Sequence, residues 1–316
     1  MERLSARRHA VPTQQAASEP EILIIGAGPA GLTAATYLGR FLRRVLVADA
    51  GEPRACWIPV SHNMPGFPAG ITGAAIVSRL REQAAEYGAV LEVGAVESVR
   101  LVDGGFIARL NGREVAVRCV LLATGVVDHH PKLPGVEDAV RRSLVRICPI
   151  CDGYEATGKA VAIIGSDDLG AREAAFLRTF SDRVTLIHVG SADALTERAA
   201  LVRLGVSLVE TAIEEVHLDG DRVTAFSCGG QRTAFDLVYS ALGTSPNAAL
   251  AEMLGARTDD DGRMLVDAHQ QTSVPGLYAA GDVVRGLNQI AVASAEAAIA
   301  ATAIHNALRE ADGQTV

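Results

Sequence analysis

The chain has 316 residues, 49% of them hydrophobic and 31 of them glycine, enough for two compact domains with sizeable cores. A net charge of −8 argues against nucleic acid or an anionic membrane as the main partner. No uncharged apolar run approaches the ~18 residues of a membrane span, and five scattered cysteines are no disulfide framework, so the expected compartment is the cytoplasm.

Residues 1–20 begin with basic residues but lack an apolar signal core, and read as an N-terminal arm. The apolar run EILII (21–25) then leads into GAGPAG, a helical pattern, and a second apolar run, Val45–Ala48, that stops at Asp49. Gly26, Gly28 and Gly31 have the G-x-G-x-x-G spacing. The first permits the tight turn, the second leaves room for a pyrophosphate, and the third lets helix and strand pack closely. The helix N-terminus offers unpaired N–H groups to phosphate, and Asp49 stands where a carboxylate accepts a ribose hydroxyl.

LLATG (121–125) is an apolar strand entering a small-residue turn at Thr124-Gly125. HHP follows, and adjacent His129 and His130 in a proline-flanked hinge read as linker residues. The pair Cys148 and Cys151 comes next, in CPICDG. Structural zinc commonly needs a second such pair or added histidines; no second pair is present, and His188 and His217 are isolated at strand-like positions. The C-x-x-C loop suits a reversible disulfide with one thiol of lowered pKa. Asp152, directly after it, would move a proton if burial raises its pKa. Cys56, Cys119 and Cys228 read as small core residues, His188 and His217 as isolated core or surface positions, and Trp57 as a packing residue.

A second strand, turn and helix is legible at 159–177, with 183–189 as the strand after it. Here Gly165 and Gly170 remain but Asp167 replaces the middle glycine, with Asp168 beside it. At ~5 Å and an effective dielectric of ~20, each carboxylate–phosphate pair would cost about 3 kcal/mol before screening. The helix dipole returns only about 0.3–2 kcal/mol. Residues 188–196 contain no arginine for a 2′-phosphate. The two acids therefore read as helix-terminus stabilisers and the unit as scaffold, which puts NADP(H) in doubt. VYSALGTSPN (238–247) closes this unit. GLYAAGDVV (276–284) is a strand ending at Gly281-Asp282, and 290–308 is an alanine-rich helix.

In order along the chain, GAGPAG, NMPGFPAGITG (63–73), the Thr124-Gly125 turn, CPICDGYE and AAGD resemble the low-molecular-weight thioredoxin reductases over roughly residues 21–308. The resemblance implies an α/β fold of two Rossmann-like, three-layer domains, the second inserted into the first. The FAD domain would comprise 21–128 and 251–316, and a degenerate pyridine-nucleotide-type domain, 129–250, would carry the cysteines. It implies FAD held by Gly26, Gly28, Gly31, Asp49, Thr124, Gly125, Gly281 and Asp282, with Cys151 facing the flavin, Cys148 exchanging with substrate and Asp152 as acid/base. It also implies a homodimer. The broken second turn is similar to the branch of these flavoproteins that oxidises small dithiols, natural-product intermediates among them, with molecular oxygen as acceptor. The expected activity is thus FAD-dependent dithiol oxidation. A thioredoxin-disulfide reductase using NADPH or another donor, and a flavin-based redox sensor, are the alternatives.

Overall fold

In the computed structural model, the described residues are 19–51, 53–130, 139, 144–219, 222–284 and 286–315. Most of the N-terminal arm and the 131–135 part of the proline-flanked hinge lie outside them. The chain forms two compact units, one of residues 1–53, 77–125 and 246–316, the other of 54–76 and 126–245. Residues 54–76 go with the second unit for local reasons. Arg54 makes a two-pronged ion pair with Asp128, at 2.5 and 2.7 Å, and Trp57 packs on that unit's core beside Leu144 and Ile147.

The first unit is built on a five-stranded parallel sheet in the order Leu277–Ala279, Cys119–Leu122, Ile22–Ile25, Val45–Asp49, Val90–Val93. Its central strands are continuous apolar runs buried on both faces, as a parallel sheet covered on each side requires. The meander Val96–Val102, Gly105–Leu110 and Arg113–Val117 adds an antiparallel sheet whose last strand alternates between exposed and buried.

Helix Pro29–Arg40 follows the first strand and packs against the last helix, Ile290–Ala311, whose buried positions are mostly alanine: Ala293, Ala297, Ala300 and Ala301. By length and composition this last helix is apolar enough to cross a membrane. Its buried stripe nevertheless lies within the unit, and Glu296 interrupts it. Glu21, buried, takes Arg43 and Arg44, and Arg43 and Arg118 reach Asp312, tying the end of that helix to the sheet.

Helix Pro29–Arg40 ends in a Schellman turn: Leu42 N–H donates to Gly39 C=O and Arg43 N–H to Leu38 C=O. Leu42 stands at φ 62°, with its side chain 79% exposed. The left-handed region costs an L-residue roughly 1–2 kcal/mol and glycine almost nothing. Leu42→Gly is expected to raise stability by about 1 kcal/mol, read as a higher urea midpoint at unchanged slope.

The second unit repeats the plan. Its parallel sheet runs Ser207–Val209, Val184–His188, Val161–Gly165, Leu237–Ala241, with helix Asp168–Leu177 after the Val161 strand. An antiparallel meander, Ile213–Asp219, Arg222–Cys228 and Gln231–Ala234, packs on it through Val223 and Phe226. The architecture is thus the expected two-domain Rossmann-like α/β fold, with the second unit inserted into the first in sequence.

Candidate functional site

The expected cofactor residues of the first unit meet at one edge. Because its strands are parallel and in register, Ile25 beside Ala48 and Leu122, and Leu122 beside Ala279, their carboxyl ends emerge together. Gly26, Asp49, Thr124 and Gly281 follow those four ends.

A Cβ at Gly26, φ 110°, would lie 2.3 Å from Ala123 O, and one at Gly31 would lie 1.9 Å from Gly26 O. Both positions are held to glycine by the protein itself. Gly28 differs. A Cβ there would meet only Pro53, at 3.9 Å, so the protein leaves this space open. Gly28 caps the helix with no side-chain hydrogen bond, and Pro29 is at its first turn. An open space over a helix N-terminus that no side chain caps is an anion cradle, and these residues fit the pyrophosphate of FAD.

Asp49 is buried at its strand end, where it accepts Gly51 N–H at 3.2 Å and pairs with Arg81. Gly281 N–H donates to Glu296 Oε2 at 2.7 Å, and Gly281 approaches Ala30 in the first turn of the helix, so the Gly281-Asp282 turn sits beside the glycine turn. Asp282 C=O accepts from Arg263 at 2.7 Å. Thr124 has a further partner that the sequence does not show. Its hydroxyl donates to Asn247 C=O at 2.7 Å, and the Asn247 amide donates to Thr124 C=O at 3.0 Å. The Thr124-Gly125 turn is therefore stitched to Asn247. Arg81, Asn247 and Glu296 carry no motif in the sequence, since their partners lie 15 to 123 residues away.

In the second unit Cys148 and Cys151 form a disulfide, with Cα atoms 5.3 Å apart. The short helix Pro149–Asp152 explains the closure. Cys148 caps it, Pro149 fills the first position where no N–H is needed, and Cys151 N–H donates back to Cys148 C=O at 3.0 Å.

Asp152 is gripped from both sides. Arg146 Nη1 donates to its Oδ2 at 2.5 Å, and Tyr239 O–H donates to its Oδ1 at 2.8 Å. Burial pushes the Asp152 carboxyl above the ordinary range, outweighing the pull of Arg146 and Tyr239 in the other direction. Tyr239 is fully buried, and that burial beside a carboxylate keeps its phenol protonated. Arg146 lies beside Tyr239 through backbone bonds to Val238 and Ser240. Neither partner is legible from sequence, because Tyr239 is 87 residues from Asp152 and reads as one more apolar strand residue.

The second glycine turn is occupied by its own chain. Asp167 caps helix Asp168–Leu177 by accepting Leu169 N–H at 2.8 Å, as its position suggested. Asp168 reaches away from the helix. It accepts Thr196 N–H at 2.8 Å, Thr196 O–H at 2.6 Å and Glu197 N–H at 3.2 Å. These bonds, the Thr196 hydroxyl's first, hold its carboxyl below the usual range. His188 Nε2 bonds Ser166 C=O at 3.0 Å, and a Cβ on Gly190 would lie 1.9 Å from the same oxygen. Arg198, just past the arginine-free stretch, is paired with Glu210 and bonded to Ala192 C=O. The turn thus carries an acid at its middle position and a second acid bonded to the 196–197 segment.

The remaining singled-out residues are structural. His129 is bonded to Leu242 C=O and Ser245 Oγ, at 3.1 and 2.7 Å, and His130 lies near Trp57. His217 bonds Ser227. Cys119 is buried in its strand, where desolvation pushes its thiol up to about 11; Cys56 and Cys228 are half-buried. Among the described residues no group of three or more His, Cys, Asp or Glu side chains is placed to hold a metal ion.

A family model described as pyridine nucleotide-disulphide oxidoreductase matches residues 20–297. A thioredoxin reductase of Mycolicibacterium smegmatis is 32% identical over 297 residues, covering 89% of this chain and 94% of that one. Among solved structures, HlmI superposes with a TM-score of 0.84 at 29% identity, covering 93% of this chain and 94% of that one. Thioredoxin reductase from Streptococcus pyogenes gives 0.83 at 26%, covering 92% and 99%.

Proposed function

The chain belongs to the pyridine nucleotide-disulphide oxidoreductase family and is an FAD-dependent disulfide oxidoreductase, and we propose that within it the protein is a dithiol oxidase. Its substrate is a small-molecule dithiol of the kind found in natural-product assembly, and its final acceptor is molecular oxygen. A substrate thiolate attacks Cys148, breaking the Cys148–Cys151 bond and leaving the electron pair on Cys151. The second substrate thiol then displaces Cys148 and leaves as a disulfide. Asp152 holds and returns the proton. FAD, when bound, would supply the two-electron acceptor for the reduced cysteine pair, with molecular oxygen as the final oxidant. Gly26, Gly28, Gly31, Asp49, Thr124, Gly125, Gly281 and Asp282 would hold it.

The observation that carries this reading is the self-occupied second turn. Asp167 stands at the middle-glycine position of a turn that would otherwise receive dinucleotide phosphate, with Asp168 beside it; Thr196 and Glu197 are bonded to Asp168 and His188 to Ser166 C=O. An enzyme that takes electrons from thiols has no need of that site. The thioredoxin reductase name of the relatives favours the second reading, reduction of a protein disulfide with an external donor. Anaerobic mixing separates the two. Small dithiols are expected to bleach the flavin rapidly, with oxygen uptake on admitting air, while NADPH leaves the flavin oxidised over the same time. Rapid bleaching by NADPH would establish the reductase instead.

A further inference from the structure

We propose that Arg146 and Tyr239 are positioning residues for the proton on Asp152: the guanidinium fixes one carboxylate oxygen, and the phenol serves the other in either protonation state. The inference rests on the reading of Asp152 as the acid/base of thiol exchange.

The geometry of the phenol carries it. Tyr239 O–H lies 2.8 Å from Asp152 Oδ1 and 3.2 Å from Asp152 main-chain O. A tyrosine hydroxyl both donates and accepts. With Asp152 ionised, it donates to Oδ1. With a proton on Oδ1, it accepts from that oxygen and turns its own hydrogen to the main-chain oxygen. A buried carboxyl that gains and loses a proton would otherwise leave a polar atom unpaired in one of its two states. Arg146 only donates, so it favours the ionised form and holds the carboxylate in one rotamer. Its own backbone is fixed on the strand that carries Tyr239, so the two partners move as one piece.

Among the described residues, the other charges near Asp152 are these. Glu155, in the turn that follows, opposes ionisation. The helix packed on this turn, Asp168–Leu177, carries Arg172 and Glu173 with Asp168 at its start and Asp167 capping it. Burial pushes the Glu173 carboxyl up to about 7.

The exchange balances with this proton. The first substrate thiol gives its proton to Asp152 as its sulfur bonds Cys148. The Cys148–Cys151 bond breaks, and its electron pair goes to Cys151. The second thiol, its proton released to solvent, attacks the substrate sulfur bound to Cys148. Cys148 leaves and takes the proton back from Asp152. The dithiol is oxidised by two electrons and the cysteine pair is reduced by two.

The test is the pH dependence of the rate at which dithiothreitol reduces the holoenzyme, followed anaerobically by flavin absorbance. Both partners stabilise the ionised carboxylate, so removing either raises its pKa and moves the acidic limb to higher pH. Arg146→Gln is expected to move it by about one to three units, Tyr239→Phe by less in the same direction, and Arg146→Lys to restore most of it. Asp152→Asn is expected to remove the limb. A limb unmoved in Arg146→Gln and Tyr239→Phe but absent in Asp152→Asn would overturn the positioning role and leave the acid/base reading standing. A limb that persists in Asp152→Asn would overturn both. If Arg146→Gln does not fold, Tyr239→Phe, which removes one oxygen, decides alone.

Discussion

Cys148→Ser and Cys151→Ser are each expected to lower dithiol oxidation by on the order of 10³-fold or more, as loss of a nucleophile does. The fold should survive. The disulfide closes a loop of only four residues, so the loop-entropy model gives it about 2 kcal/mol. Far-UV circular dichroism is therefore expected to be unchanged, with a modestly lower melting temperature. The two variants differ in a second readout. With Cys148 exchanging with substrate, Cys151→Ser mixed with the oxidised form of the substrate retains it as a mixed disulfide on Cys148, visible by intact mass. Cys148→Ser retains none. Trapping on Cys151 instead would reverse the assigned roles, and dithiol oxidation surviving in both variants would sink the relay.

Gly28→Ala and Gly31→Ala are expected to fail in different ways. At Gly31 the added carbon would sit 1.9 Å from a backbone oxygen that has nowhere to go. Overpacking of this kind costs about 3 kcal/mol or more, and the variant should be recovered poorly folded. At Gly28 the added carbon meets only Pro53 at 3.9 Å, and the backbone there is extended, which alanine accepts. The apoprotein should melt within about 0.5 kcal/mol of the parent. Its affinity for FAD should nevertheless fall about 10- to 100-fold, because the methyl group enters the space for the pyrophosphate. Titration of apoprotein with FAD, read by quenching of flavin fluorescence, measures this. Equal affinity in Gly28→Ala would remove the pyrophosphate from that turn.

The Cys148–Asp152 region shows how far local sequence reaches. A proline after the first cysteine, a two-residue spacing and an acid after the second are read directly, and each depends on chemistry within one helical turn. The partners of Asp152 are not local. Arg146 is two residues before the first cysteine but acquires its place only when its backbone joins the Tyr239 strand. Tyr239 arrives from the far end of the inserted unit.

The same boundary divides the two glycine turns. The sequence by itself determined that this is a pair of Rossmann-like units, because strand, turn and helix repeat with apolar runs of parallel-sheet type, and that the second turn carries acid where glycine belongs. Where Asp168 sends its carboxylate was decided by tertiary structure alone. Thr196 and Glu197, 28 and 29 residues on, are brought against it by the loop after the next strand. Local spacing encodes elements and the glycines that permit close approach. Which buried charges meet, and hence which protons are held, follows only from packing segments that are remote in the chain.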